Sequence, residues 1–292
     1  MSRFHRILVA IDFSEHSHAA LERAVAMARG GNTVLYLLYA YPVPLAWAME
    51  VPADLLDNLR DAAARRMEKE RAALQAKGLT CEIHLRAEPS SSAIVEAASE
   101  IHADLIVMGT RGRSGLKHVL LGSTAERTVR TAPCPVLTVR AGASVTERFE
   151  TIVVPVDFSK HTDKVLAMAI DLAKECKGRI HLLHVYELGT AATTYGVPFP
   201  PSVWTEIEAA AEGRISQLGK RLESAGIPFT QQTATAPVSD AIIEAASAHG
   251  ADLIVMGTHG YSGLKHFCLG SVAERTLRHA GCPVLTLSAR GC

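Results

Sequence analysis

The chain has 292 residues, enough for about two ordinary domains. Its 30 Lys and Arg balance 30 Asp and Glu, which excludes the cationic excess that broad nucleic-acid or anionic-membrane surfaces need. Hydrophobic residues make up 48% and aromatic ones 5%, yet no stretch nears the roughly 18–20 apolar residues of a membrane span.

The predicted elements run in a regular alternation. Ile7–Ile11 is an apolar run that meets Asp12 too soon for a signal peptide, and it is expected to be a first strand buried on both faces. A helix is expected from about Ser17 to Arg29, with Leu21, Ala24, Val25 and Ala28 on one stripe. Val34–Tyr39 has the character of a second strand. Asp54–Lys77 is predicted as a long helix closed by Gly78 at the C′ position. Cys81–Arg86 is a short strand. Pro89 and the serines after it introduce a helix with Ile94, Ala97, Ala98 and Ile101 on one face. Leu105–Met108 is a buried strand that runs straight into a glycine-punctuated loop, followed by a helix at Ser123–Arg130 and a last strand at Val136–Val139. Strands and helices alternating at these lengths imply an α/β fold with a doubly wound parallel sheet.

The whole pattern occurs twice. ILVAIDFS at Ile7–Ser14 returns as IVVPVDFS at Ile152–Ser159, and ADLIVMGT at Ala103–Thr110 returns at Ala251–Thr258. AERT and CPVLT also recur. The offset is 145 from Ile7 to Ile152 and 148 from Ala103 to Ala251, so the second copy carries three extra residues between Tyr186 and Gly226. A period this long marks a duplicated domain, since solenoid repeats run about 20–50 residues. The polar stretch near Ala141–Glu150 divides the chain into domains 1–143 and 144–292.

The chemistry concentrates at the ends of two strands in each half. In open α/β sheets ligands bind beyond the carboxyl ends of the strands, where the strand order reverses. Asp12 and Asp157 end the first strands, and Gly109 and Gly257 end the fourth. Each loop has the form G-x-x-G-(9)-G-S: Gly109, Gly112, Gly122, Ser123, then Gly257, Gly260, Gly270, Ser271. It is neither a P-loop nor GxGxxG. Glycines there serve either tight turns alone or close backbone approach to a phosphate. Ser123-x-x-Glu126 and Ser271-x-x-Glu274 fit a capping box, which makes each serine an expected N-cap. The same serines, at a helix start, are also candidates to meet an anion. Asp12 and Asp157 are either Asx-type caps or acceptors for a nucleoside edge or a divalent cation.

Arg111, Arg113, Lys117 and His118 stand between the first set of glycines, and His259, Lys265 and His266 between the second, where Tyr261 replaces Arg113. They form either a solvated loop or a neutralising rim for polyphosphate. The first half is the more cationic and is expected to bind at least as tightly. Among thirteen histidines, His16 and His18 have the closest spacing but lack a ligand set, and His181 and His184 fall on opposite faces of one strand. No metal ligands are assigned. The six cysteines form no CxxC pair, which points to a reducing cytoplasm, and Cys134 and Cys282 read as small buried hydrophobes or, less simply, redox thiols.

With these motifs in place, the chain resembles the universal stress protein family in its tandem form, over both halves. The V-x-x-D-F-S strand, the DLIVMGT strand, the glycine loop and the CPVLTV strand carry the resemblance. It implies a five-stranded parallel sheet of the adenine nucleotide alpha hydrolase-like kind in each domain. It also implies that the last strands pair across a pseudo-two-fold interface within the chain, with homodimerisation as a further step. It further implies the ATP-binding subgroup, with ATP taken alone or with Mg. Carried over by position, the adenine side comprises Asp12, Ala40 and Met108, and in the second half Asp157, Val185 and Met256. The phosphate side comprises Gly109, Arg111, Gly112, Gly122, Ser123 and Thr124, and then Gly257, His259, Gly260, Gly270, Ser271 and Val272. Two departures stand out: Pro155 opposite Ala10, and Val272 without the hydroxyl of Thr124.

The resulting expectation is a cytoplasmic, nucleotide-dependent sensor or regulator in a stress response, with no catalytic residues. Only Asp12 and Asp157 approach the role of a general base, so a slow ATPase is one alternative. A structural adaptor with vestigial sites is another, with Tyr41–Pro52 and Tyr195–Trp204 as partner surfaces or lids.

Overall fold

The computed structural model describes residues 3–29, 31–41, 53–112, 121–143, 146, 148–186, 201–258 and 269–288. It divides into two compact units, the first Met1–Glu147 and the second Arg148–Ala289. In the first unit the strands are β1 (Arg6–Ala10), β2 (Val34–Ala40), β3 (Thr80–Arg86), β4 (Leu105–Gly109) and β5 (Val136–Val139). The helices are α1 (Glu15–Ala28), α2 (Ala53–Gln75), α3 (Ser90–Glu100) and α4 (Ser123–Thr131). All four strand pairings are parallel, in the order β3-β2-β1-β4-β5. Ile7, Leu8, Val9, Leu35, Leu37 and all of Leu105–Val107 are fully buried. Layers of helix therefore cover the sheet, as the unbroken apolar runs require.

The second unit repeats the first. Its strands are β6 (Thr151–Val156), β7 (Arg179–Val185), β8 (Phe229–Ala234), β9 (Leu253–Gly257) and β10 (Val284–Leu287). Its helices are α5 (Thr162–Cys176), α6 (Pro201–Ser224), α7 (Val238–Ala248) and α8 (Ser271–His279). The order is β10-β9-β6-β7-β8, again parallel throughout. The α/β class and the parallel sheets agree with the sequence-based expectation.

Local chemistry explains the element ends. Helix α1 starts two residues before the expected Ser17, because the Ser14 side chain caps it and accepts from the Ser17 N–H at 3.2 Å. Gly78 takes φ +77° after α2, with its N–H on Gln75 O at 2.9 Å and the Leu79 N–H on Leu74 O at 3.2 Å. Only glycine adopts that conformation cheaply. The aspartate of each ADLIVM segment pins the neighbouring strand: Asp104 Oδ2 accepts from the His5 N–H at 2.7 Å, and Asp252 Oδ2 from the Thr151 N–H at 3.0 Å.

One repeated turn is strained. Phe13 and Phe158, next to the two first-strand aspartates, have φ of 63° and 59°. Each ring is held from outside: Arg66 lies 3.7 Å from the Phe13 centroid, and Arg214 4.1 Å from that of Phe158. Aromatic neighbours Tyr39 and His184 complete the two clusters at 5.1 and 4.4 Å. These contacts keep a bulky residue in a region it otherwise avoids.

Candidate functional site

In the first unit β1 and β4 are neighbours although they are far apart in sequence, and β2 lies on the outer side of β1. That adjacency is the switch point, and a cavity of about 120 Å³ opens there. Asp12, Ala40, Met108, Gly109, Arg111, Gly112, Gly122, Ser123 and Thr124 all line it. These are all the residues assigned to the first half from the sequence, contributed by the ends of β1, β2 and β4 and the start of α4.

The Asp12 carboxylate is oriented by an Asx turn, with Oδ1 accepting from the Ser14 N–H at 3.0 Å. Its Oδ2 lies against Gly112, where an added Cβ would come within 2.7 Å. Gly109 is needed for a different reason: a Cβ there would meet the His16 backbone carbon at 2.8 Å. The glycine lets the end of β4 pass directly against α1. Gly122 closes the loop, its N–H donating to Thr110 O at 2.9 Å.

The capping box does not form. The N-cap residues are Gly122 and Gly270, and neither helix start has a side-chain cap hydrogen bond. Ser123 and Ser271 are instead the first helical residues. The reason is the extended backbone of the glycines, with ψ of 140° and 139°, which sets the helix start one residue earlier. An uncapped helix start leaves its first-turn N–H groups without intrahelical partners. Glu274 does not fold back over them; it pairs with Arg278 one turn along.

His16 reaches the same rim. Its Nδ1 accepts from the Ala141 N–H at 3.0 Å and lies 3.3 Å from Thr110 Oγ1. Burial lowers its pKa, and the cations of Arg111 and Arg140 lower it further. The ring therefore stays neutral beside a cationic edge.

The second unit has a larger cavity of about 240 Å³ at the corresponding place. Asp157, Val185, Met256, Gly257, Gly270, Ser271 and Val272 line it. The other two residues assigned there, His259 and Gly260, lie outside the described residues, as do Arg113, Lys117, His118, Tyr261, Lys265 and His266. So do residues 42–52 and 187–200, most of the two segments expected as partner surfaces. Asp157 Oδ1 accepts from the Ser159 N–H at 2.9 Å and from Thr162 Oγ1 at 3.2 Å.

Pro155 lines this cavity and shortens a ladder. β6 pairs with β9 at Ile152 and Val153 only, whereas β1 pairs with β4 at Ile7, Leu8 and Val9. A proline has no N–H with which to extend the pairing.

Several lining residues escaped the sequence reading. Ser90 and Val238 open α3 and α7 and border the two cavities, beside Ile94 and Ile242. Ser17 joins the first and His161 and Thr162 the second. The helix start after Pro89 was visible as a start, but only the sheet order brings it and its counterpart at Val238 to the rim. Among the described residues no group of three or more His, Cys, Asp or Glu is placed to hold a metal ion. None of the described helices is long and apolar enough to cross a membrane. Cys81 and Cys134 are buried, and burial pushes the Cys81 thiol up to about 11, away from thiolate chemistry.

Comparison with known proteins agrees with this architecture. A universal stress protein of Mycolicibacterium smegmatis is 25% identical over 295 aligned residues, covering 97% of each chain. A universal stress protein of Thermus aquaticus is 38% identical over 146 residues, 47% of this chain and 99% of its own length. The crystal structure of a universal stress protein from Archaeoglobus fulgidus superposes with a TM-score of 0.71 at 23% identity, covering 97% of this chain and 96% of that one. The universal stress protein family model matches twice, at residues 3–140 and 148–288, one match in each structural unit. Two matches that together span nearly the whole chain make it a tandem member of the universal stress protein family.

Proposed function

We propose that each half, taken as domains 1–143 and 144–292, binds an adenine nucleotide, and that the chain acts in the cytoplasm as an ATP-responsive regulator in a stress response. One observation carries this reading: the nine first-half residues assigned from sequence converge on one switch-point cavity, beside a glycine-opened helix start. Free first-turn amides and the positive end of a helix favour an anion there. The adenine side would be Asp12, Ala40 and Met108, and the second half would use Asp157, Val185 and Met256. The phosphates would meet Gly112, Gly122, Ser123, Thr124 and the Arg111 cation. With no group of three or more His, Cys, Asp or Glu placed to hold a metal ion among the described residues, Mg would arrive on the phosphates rather than in a protein cage.

Calorimetric titration of the full chain with ATP–Mg tests this. Saturable binding with up to two nucleotides per chain is expected. Absence of heat and of any melting shift at millimolar ATP–Mg would refute it. Denaturing the purified protein and identifying any released nucleotide gives an independent check.

A further inference from the structure

We infer that the two cavities take different members of the adenine class: the first selects polyphosphates, and the second selects adenosine or a monophosphate. This deepens the nucleotide-binding reading and rests on it. Ser90 and Thr124, both at helix starts, line the first cavity together with Arg111. At the equivalent positions of the second stand Val238 and Val272. The two valines are the first residue of α7 and the second of α8, the helix starts that border the cavity. Each replaces a hydroxyl donor at a helix start by a branched hydrocarbon that offers a phosphate oxygen nothing.

Shape points the same way. The second cavity is about 240 Å³ against about 120 Å³, and Pro155 and Val185 add apolar lining where the first has Ala10 and Ala40. A roomier, more apolar site rewards burial of a base and ribose. Losing a neutral hydroxyl contact costs a few-fold in affinity for a phosphate oxygen, and losing two costs about tenfold. The second site should therefore gain little from added phosphates.

Two cavity-filling variants of the full chain separate the sites. Val185→Trp blocks the second, and Ala40→Trp blocks the first. Each is titrated with adenosine, AMP and ATP–Mg by calorimetry. With only the first site open, ATP should bind at least tenfold tighter than adenosine. With only the second open, adenosine or AMP should match or exceed ATP, within about threefold. An equal tenfold preference for ATP in both would overturn the inference while leaving nucleotide binding intact. Failure of both sites to bind any adenine compound would overturn the nucleotide reading itself, and this inference with it. A Val238→Ser, Val272→Thr variant of the Ala40→Trp chain supplies a gain-of-function arm. Its ratio of ATP to adenosine affinity should rise about fivefold, and an unchanged ratio would count against the assignment.

Discussion

Replacing His181 by Phe should make this protein less sensitive to acid. His181 is 3% exposed on β7, with Nδ1 2.8 Å from Thr230 Oγ1. Its ring stacks on His249 at 3.8 Å. Burial, reinforced by the neighbouring His249 charge, lowers its pKa from 6.5 to about 4. Above pH 6.5 both the folded and unfolded rings are neutral, and the group contributes no pH dependence. Between 6.5 and 4 only the unfolded chain takes up the proton, so stability falls as the pH falls. Below about 4 both states are charged and the loss levels off. The linkage relation gives a loss of about 2 kcal/mol between pH 7.5 and pH 5 from this one ring. Phe keeps the ring volume and cannot titrate. The assay is urea unfolding of both proteins at pH 7.5, 6, 5 and 4.5, followed by far-UV circular dichroism and read as the difference between variant and wild type. Phe loses the Thr230 bond and should be less stable at pH 7.5, but the gap should close by about 2 kcal/mol by pH 5. A gap that stays constant within about 0.5 kcal/mol across this range would refute the argument. The first unit supplies an internal contrast, since Tyr36 and Ile101 occupy the positions of His181 and His249.

Two glycines of the same loop should separate fold from site. Gly109→Ala drives a Cβ into the α1 backbone at His16, so it should cost about 1–3 kcal/mol, seen as a lower melting temperature with or without ligand. Among the described residues Gly112→Ala meets the Asp12 side chain alone, most closely its Oδ2, the end of a side chain that can turn aside. It should leave the melting temperature of the free protein nearly unchanged and weaken ATP binding at the first site by about tenfold, measured in the Val185→Trp background. Reversal of these two outcomes would mean that the loop's close contacts are misassigned.

Much of the fold was legible because burial on both faces writes itself as unbroken apolar runs, and the repeat writes the same runs twice. Asp12 and Gly109 could be placed on one rim from strand ends alone, because a parallel sheet puts all its carboxyl ends on one side. Gly78 could be assigned to its turn because a positive φ after a helix has one cheap solution. The serine caps could not be settled this way: S-x-x-E is a local pattern, but the choice of Gly122 over Ser123 depends on a loop held by Thr110. Nor could the sequence show that Ser90 and Val238 reach the cavities, or that His249 covers His181.

The amino-acid sequence by itself determined a duplicated parallel α/β fold and the strand ends at which each site is built, since those follow from periodicity and from backbone chemistry within a few residues. The tertiary structure alone decided what surrounds each of those residues. It put Gly109 against α1, Phe13 under Arg66 and the buried imidazole of His181 beside a second ring. These are contacts between segments far apart in the chain, and no local pattern encodes the distance between them.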